Sequence, residues 1–287
     1  MVLVAATPST AATTITDLNS MLLTQFKSTS SGVVAVEAEP TQSETKVTAV
    51  GTPSVLDVAP AAVATTTLNN LADFQVNQTT QPQSKAITTS TTTTVTTGFS
   101  SATKVSATFK LSDLVSVGAD TTTTVSYSNA TAQTSSTTDT YTLPAQTIPV
   151  PARSRMCVYG ELLLKKATGN IALNTKLGGY ATVIQSPIGF LKTSIYNGLV
   201  TAQSKGAPAL PAGFSLNSST KTLDFKGAAT YSSVYGTDLQ VTTYQSPSLT
   251  TPCPAKAPTV SSTNASAGSF SAGAVRQYTV PLAGNVN

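Results

Sequence analysis

The sequence predicts a mainly β, elongated protein of antiparallel strands with one short helix near its amino end. Three observations carry this. β-Branched residues, Thr above all, fill long alternating runs; Gly and Pro bound those runs; and one stretch alone of the 287 residues has a clear helical apolar spacing. Charged residues make up 10% of the chain, against roughly 25% in a typical soluble domain, so the polar surface is built from hydroxyls rather than ions. The length suffices for one elongated domain or two or three small ones, with a substantial core.

The helix is expected over Thr14 to Lys27, TITDLNSMLLTQFK. There Ile15, Leu18, Leu22 and Phe26 recur at steps of three and four, Met21 lies beside them, and Thr14 or Thr16 can cap. Beyond it, GVVAVEAEP and TKVTAVG read as short strands. ITTSTTTTVTTGF, from Ile87 to Phe99, has nine Ser or Thr in its first eleven positions. Composition alone also permits a mucin-like stalk, but the tract lacks Pro and Thr pairs well across strands, which favours a strand. Pro149 and Pro151 mark an edge or a bend before MCVYGELLL, a more buried strand. Further strands are expected at GYATVI, LDFKGAATYSSVYG and DLQVTTYQ, and from about Pro247 the chain patterns only near RQYTVPL.

Much chemistry is excluded. The chain has no His, which removes Ser-His-Asp and Cys-His catalysis and histidine metal sites, and it has neither a GxSxG elbow nor a phosphate loop. Glu161 and Asp224 are the formal candidates for a glycosidase-like carboxylate pair, with solvated strand positions as the default. No enzyme activity, cofactor or metal is expected. The net charge of +4 is scattered, with small patches at Lys165, Lys166 and Lys176 and at Arg153 and Arg155, which argues against nucleic acid. Cys157 and Cys253 allow one disulfide, but their spacing does not reveal pairing, and two unpaired or buried thiols are the default. The amino-terminal MVLVAATPSTAATTITDLN has neither a basic n-region nor a membrane-spanning length, so either a leader has been removed or the protein leaves its cell by lysis or another route.

The segment Thr103 to Asn129, TKVSATFKLSDLVSVGADTTTTVSYSN, is an amphipathic hairpin by its alternation. Val105, Ala107, Phe109 and Leu111 share one face of the outward limb, opposite Lys104, Ser106, Thr108 and Lys110. On the return limb Ala119, Val125 and Tyr127 oppose Thr124, Ser126 and Ser128. The tip holds Leu114, Val115 and Val117 between Asp113 and Asp120, with Gly118 free to reverse. A limb of about ten residues, tilted, spans roughly the 25 Å apolar band of a membrane barrel. One hairpin leaves its edges unpaired in lipid, so several subunits must close the barrel. An ordinary solvated hairpin with one face on a core fits the same alternation.

Several segments resemble the aerolysin-like β-pore-forming toxins, in the branch of the clostridial epsilon toxin and the bacillus mosquitocidal toxins. They are TTTLNNLADFQVNQTT (Thr65 to Thr80), TTTTVTTGF (Thr91 to Phe99), the hairpin itself, and TYTLPAQTIPVPARSRMCVYGELLLKKATGNI (Thr140 to Ile171), resuming at YSSVYGTDLQV. About half the chain looks like the family. The resemblance implies a protoxin-like β protein, released from a bacterial cell or a spore-associated inclusion. It would meet a target-cell membrane and an unknown protein or glycan receptor, form a homo-oligomer, and insert Thr103 to about Gln133 as its hairpin. Val105, Ala107, Phe109, Leu111, Val125 and Tyr127 would then face lipid. Lys104, Ser106, Thr108, Lys110, Asp120, Thr124, Ser126 and Ser128 would line the lumen, and the flanking Thr-rich strands would continue the wall outside the bilayer.

In the long strand after the hairpin, Pro144, Gln146, Val150 and Pro151 align with the family. The implied division is discontinuous: a receptor-binding head of 1–60 with 172–225, a central oligomerisation region of 61–102, 134–171 and 226–247, the hairpin 103–133, and a carboxyl-terminal region 248–287. Lys27, Lys256 and Arg276 are candidate trypsin-type activation sites. The chain departs from its relatives in lacking Trp. Tyr180, Tyr196, Tyr231, Tyr235 and Tyr244 are the tyrosines available for recognition, with buried packing the default for each. The bacillus branch points to insect gut epithelium as target. A non-catalytic glycan- or cell-surface-binding β protein is the alternative.

Overall fold

The computed structural model describes residues 13–115, 122–128, 130–187, 189–259 and 273–280. Among them the chain forms, in order, β1 (Thr14–Asp17), α1 (Leu18–Phe26), β2 (Val33–Asn70), β3 (Val76–Thr79), β4 (Gln83–Ser100), β5 (Ser106–Lys110), β6 (Thr122–Ser126), β7 (Gln133–Leu143), β8 (Thr147–Val150), β9 (Ser154–Gln185), β10 (Gly189–Ser194), α2 (Ile195–Ser204), β11 (Phe214–Asn217), β12 (Thr222–Ser246) and β13 (Val275–Val280). The mainly β, elongated class and the short amino-terminal helix stand as expected.

One nine-stranded sheet dominates, with β7, β4, β12, β9 and β2 as successive neighbours. β9 is 32 residues long, about 105 Å at ~3.3 Å per residue. It pairs antiparallel with β12 from Leu177–Leu223 to Arg155–Ser246, and with β2 from Gln185–Val33 to Ser154–Asn70. This double ladder sets the length of the molecule. At the Val33–Gln185 end, α1, α2, β10 and β11 thicken it around Leu22, Phe26, Leu177, Leu199 and Phe225. At the other end Leu68, Leu143, Val150, Met156, Leu162 and Val241 form a second core.

Four local expectations change. GVVAVEAEP and TKVTAVG are parts of one strand of 38 residues. β2 pairs with β9 alone, so its prolines need not donate to a second neighbour, and register shifts at Ser43/Lys46, Val50/Ser54 and Val58/Ala61 absorb the breakers as bulges. The helix starts later than expected. Thr14–Asp17 pair in parallel with Thr97–Ser100 of β4, and Asp17, not Thr14 or Thr16, caps α1 by accepting from Ser20 N at 2.7 Å. The same bond holds the Asp17 carboxyl below the usual carboxylate range.

A second helix, α2, was hidden by Gly198, Val200 and Thr201, all weak helix formers. Gly198 is required because a Cβ there would lie 2.7 Å from the Phe26 ring, so its absence lets α2 close on α1. Finally, Cys157 and Cys253 are joined in a disulfide with Cα atoms 5.7 Å apart, so neither is a free thiol. The bridge forms because the segment after β12 turns back along β9, where Tyr159 Oη donates to Pro254 O at 2.8 Å and Arg155 Nη1 to Thr251 O at 2.8 Å.

Candidate functional site

The amphipathic hairpin lies folded against the sheet. β5 and β6 pair Ser106 with Ser126, Ala107 with Val125, Thr108 with Thr124, Phe109 with Thr123 and Lys110 with Thr122. That register puts Ala107, Phe109, Thr123 and Val125 on one face. The face is buried together with Val105, Leu111, Leu114 and Tyr127. Their apolar members share one cluster with Val95 of β4, Ile171 and Leu173 of β9, and Ala229 and Tyr231 of β12. Lys104, Thr108, Lys110, Thr124 and Ser128 are exposed, and Ser106 is half-buried. The two-faced pattern is present among these residues, Ser126 excepted, with the apolar side turned to protein in this state.

Two details depart from a ten-residue limb. The ladder is five pairs long, and Leu111–Asp113 leave it as a 3₁₀ turn. Asp113 Oδ2 accepts from Lys110 N at 3.2 Å, which draws the chain out of extension. Ser126, expected on the polar side, is buried, with its hydroxyl 3.1 Å from that of Ser128. Leu114 packs in the cluster and Val115 against it. The tip residues Val117, Gly118 and Asp120, and Ala119 beside them, lie outside the described residues.

The attachment is specific at the hinge. Phe99 N donates to Tyr127 O and Tyr127 N to Val105 O, each at 3.1 Å, which splices the return limb onto the end of β4. A Cβ on Gly98 would sit 2.1 Å from Tyr127 O, so only glycine permits this crossing. The Tyr127 ring meets Phe99 at a tilt and Phe225 edge-on, with centroids 5.5 and 5.9 Å away, and Phe214 completes the aromatic group. Burial pushes the Tyr127 phenol above its ordinary range. Gln42 Nε2 donates to Ser106 O at 2.7 Å and ties β5 to β2.

Elsewhere the fit is poorer. Thr123 Oγ1 on the hairpin, and Thr93 Oγ1 and Tyr231 Oη on the sheet, are buried with no hydrogen-bond partner among the described residues. Thr93 and Tyr231 stand opposite one another in the β4–β12 ladder. Thr123 was not singled out from sequence, although it lies two residues before Val125 and so shares its parity.

The Thr-rich strands flanking the hairpin form hydroxyl pairs. Ser84 and Thr142, Thr88 and Thr138, and Thr92 and Thr134 meet across β4 and β7 at 2.7, 2.8 and 2.9 Å. This cross-strand bonding accounts for the tract without a stalk. Pro144 directly follows β7 and Pro151 directly follows β8, so both act as bends, while Pro149 sits within β8 opposite Asn77. Gln146 N donates to Thr80 Oγ1 at 2.9 Å.

The remaining candidates separate. Glu161 pairs with Gln240 and Asp224 with Lys176, which places the two carboxylates roughly 50 Å apart along the ladder at ~3.3 Å per residue. They cannot act together, and no cluster of three or more metal-ligating side chains occurs among the described residues. Arg153 pairs with Asp73 at 2.6 Å and Lys165 with Asp57 at 3.9 Å, so each of these cations has an acidic partner at the surface. Of the five tyrosines, Tyr196, Tyr231 and Tyr235 are buried, Tyr244 is half-buried and Tyr180 is exposed. Lys27 caps α1, Lys256 is exposed and outside regular structure, and Arg276 lies within β13, opposite Thr243.

Comparison with solved structures places this architecture. The β-pore-forming protein Mpp75Aa1.1 from Brevibacillus laterosporus aligns with a TM-score of 0.58 at 21% identity, over 86% of this chain and 76% of that one. A non-toxic crystal protein from Bacillus thuringiensis aligns with a TM-score of 0.63 at 16% identity, over 82% and 98%. At these identities the likeness is one of fold. No curated protein matches the sequence. Residues 10–252, most of the chain, match the family described as Clostridium epsilon toxin ETX/Bacillus mosquitocidal toxin MTX2. The chain therefore belongs to the ETX/MTX2 family of aerolysin-like, non-catalytic toxins.

Proposed function

We propose that the protein is an insecticidal β-pore-forming toxin that attaches to a target-cell surface, assembles with copies of itself, and swings the 103–133 hairpin off the sheet into the bilayer. The observation that carries this is the hairpin's buried apolar face. Val105, Ala107, Phe109, Leu111, Val125 and Tyr127 are satisfied by protein now, and in a barrel the same face meets lipid while Lys104, Ser106, Thr108, Lys110, Thr124, Ser126 and Ser128 meet water. The head, central and carboxyl-terminal divisions expected from the family go with this reading, as do release from a bacterium or its inclusion and a gut-cell target.

Trimming at the carboxyl end fits the same scheme. β13 covers Leu239–Tyr244, an edge of β12 that β4 leaves unpaired. Its residues are exposed or half-buried, so six residues of backbone pairing hold it more than apolar packing does. Cutting after Lys256 frees that strand while the disulfide keeps Cys253 in place. Arg276 sits in a paired strand, a poor protease substrate, and Lys27 sits at a helix end. Trypsin followed by mass spectrometry should find the Lys256 cut before the other two; first cleavage at Lys27 would reject this order.

The deciding experiment is calcein release from receptor-bearing target-cell vesicles. Gln42→Cys with Ser106→Cys, bridged by a short bismaleimide, bolts the hairpin to β2; the unbridged variant and Val115→Asp are compared. Release that is lost on bridging and on tip charging assigns the leak to this hairpin. Undiminished release by the bridged protein rejects the assignment. A non-toxic crystal protein shares the fold, so a non-catalytic glycan- or cell-surface-binding module is the second reading, marked by cell binding without leakage from any activated form.

A further inference from the structure

The β9–β10 turn lies at the very end of the long ladder, beyond its last pair, Val33–Gln185. Just past it Phe190 and Leu191 are 79% and 54% exposed. They are neighbours in a strand, so they point to opposite faces. Two consecutive large apolar side chains exposed on both faces of the edge strand β10, at the end of the sheet, are poorly served by a protein partner, which would cover one face. A fluid apolar phase covers both.

Behind these two residues the two faces differ: exposed Glu37 and Glu39 share the Phe190 face, and the cationic chemistry lies on the Leu191 face. Lys192 shares the face of Phe190, with its Nζ 5.3 Å above the ring of exposed Tyr180 and 2.9 Å from Glu39. On the Leu191 face a cleft of about 310 Å³ opens between the ends of α1 and α2, lined by Phe26, Ser30, Gln185, Leu191 and Lys205 among others, with no acidic residue. Lys205 Nζ gives one hydrogen bond, to Thr29 O at 3.3 Å, and has no acidic partner among the described residues, so its charge and two protons remain. Ser30 Oγ accepts from Gly32 N at 3.3 Å and keeps its proton to donate. A cationic, donor-bearing cleft beside exposed apolar side chains complements an anionic phosphate attached to acyl chains, while Lys192 on the other face is already met by Glu39.

We infer that this end of the molecule is a phospholipid-binding site, in which Phe190 and Leu191 enter the interface of a bilayer while Lys205, Ser30 and Gln185 hold an anionic headgroup phosphate. The inference deepens the surface-attachment part of the proposed function and does not depend on barrel formation.

The chain contains no Trp, so Phe190→Trp makes a unique reporter at a site too exposed to threaten folding. Phe74→Trp, 68% exposed beyond the opposite end of the ladder, is the control. Each is mixed with phosphatidylcholine vesicles with and without phosphatidylserine, and with brominated acyl chains. The expected result is a blue shift and bromine quenching at position 190 alone, stronger with phosphatidylserine. Binding should weaken about fivefold in Lys205→Gln, for one basic residue removed from an anionic surface, and be lost in Leu191→Asp. No shift at 190, an equal shift at 74, or binding indifferent to Lys205 overturns the inference. Calcein release from receptor-bearing vesicles, read in parallel, separates the two readings: leakage without burial of position 190 sinks this site and leaves the pore, whereas burial without leakage by activated protein keeps the site and sinks the pore.

Discussion

Tyr127 donates its phenolic hydrogen to the backbone carbonyl of Asn174, 3.3 Å away, and so pins the return limb of the hairpin to β9, near the Leu177–Leu223 end of its ladder with β12. Its ring is fully buried, and burial raises the phenol above the ordinary value of 10.0. The raised group stabilises the docked state fully at pH values below 10, and that contribution is lost as pH rises beyond the ordinary tyrosine value, because the undocked phenol then ionises and the docked one does not. Tyr127→Phe should lower stability by about 1 kcal/mol near neutrality and flatten the alkaline loss of hairpin protection. Hydrogen exchange of the β5–β6 amides against pH reads both; an unchanged alkaline limb would show that other buried tyrosines control it.

The orphaned hydroxyls predict the opposite sign. Thr123 Oγ1 faces the sheet unpaired, so Thr123→Val keeps the shape and removes a buried polar atom that costs about 1–3 kcal/mol. The variant should melt at higher temperature and leak dye more slowly from activated protein. Thr124→Val, on the exposed face, should do neither. Equal behaviour of the two would mean that Thr123 is satisfied and that the hairpin is held without this defect.

The hairpin faces were legible because period-two alternation survives whichever medium covers the apolar side. Val105, Ala107, Phe109 and Val125 needed no knowledge of the sheet beneath. Thr123 was harder to see because it lies within four successive threonines, where polarity carries no parity signal. Leu111 continues the alternation in sequence yet leaves the strand, since the Asp113 side chain captures the Lys110 amide locally. The Cys157–Cys253 bridge could not be read from residues 96 apart in sequence; it depends on where the chain turns after β12. The exposed end at Phe190 was equally silent, because a lone Phe in a strand pattern reads as core until its neighbours are placed.

Removing that bridge tests how the carboxyl-terminal segment is held. Closing so long a loop restricts the unfolded chain, and loss of the disulfide should cost about 2–4 kcal/mol. In Cys157→Ser with Cys253→Ser, the segment 247–259 keeps only the Arg155, Tyr159 and similar polar contacts, which are partly exposed. Limited proteolysis should therefore reach it before the ladder melts. A double variant with unchanged melting and unchanged digestion would show that the hydrogen bonds alone suffice.

The hairpin lysines make a prediction about the pore itself. Lys104 and Lys110 are exposed on the polar face, opposite the buried one, and a lysine on the lipid face near the midplane would cost roughly 2–4 kcal/mol, so both must turn to the lumen. In the proposed barrel, with Asp120 the acidic residue of the same parity, each subunit would add more positive than negative charge to the wall. The reversal potential across a planar bilayer under a salt gradient should report weak anion preference, and Lys104→Glu with Lys110→Glu should reverse it. Cation preference in the unmodified pore would mean that these side chains do not line it, and that the barrel register differs from the docked one.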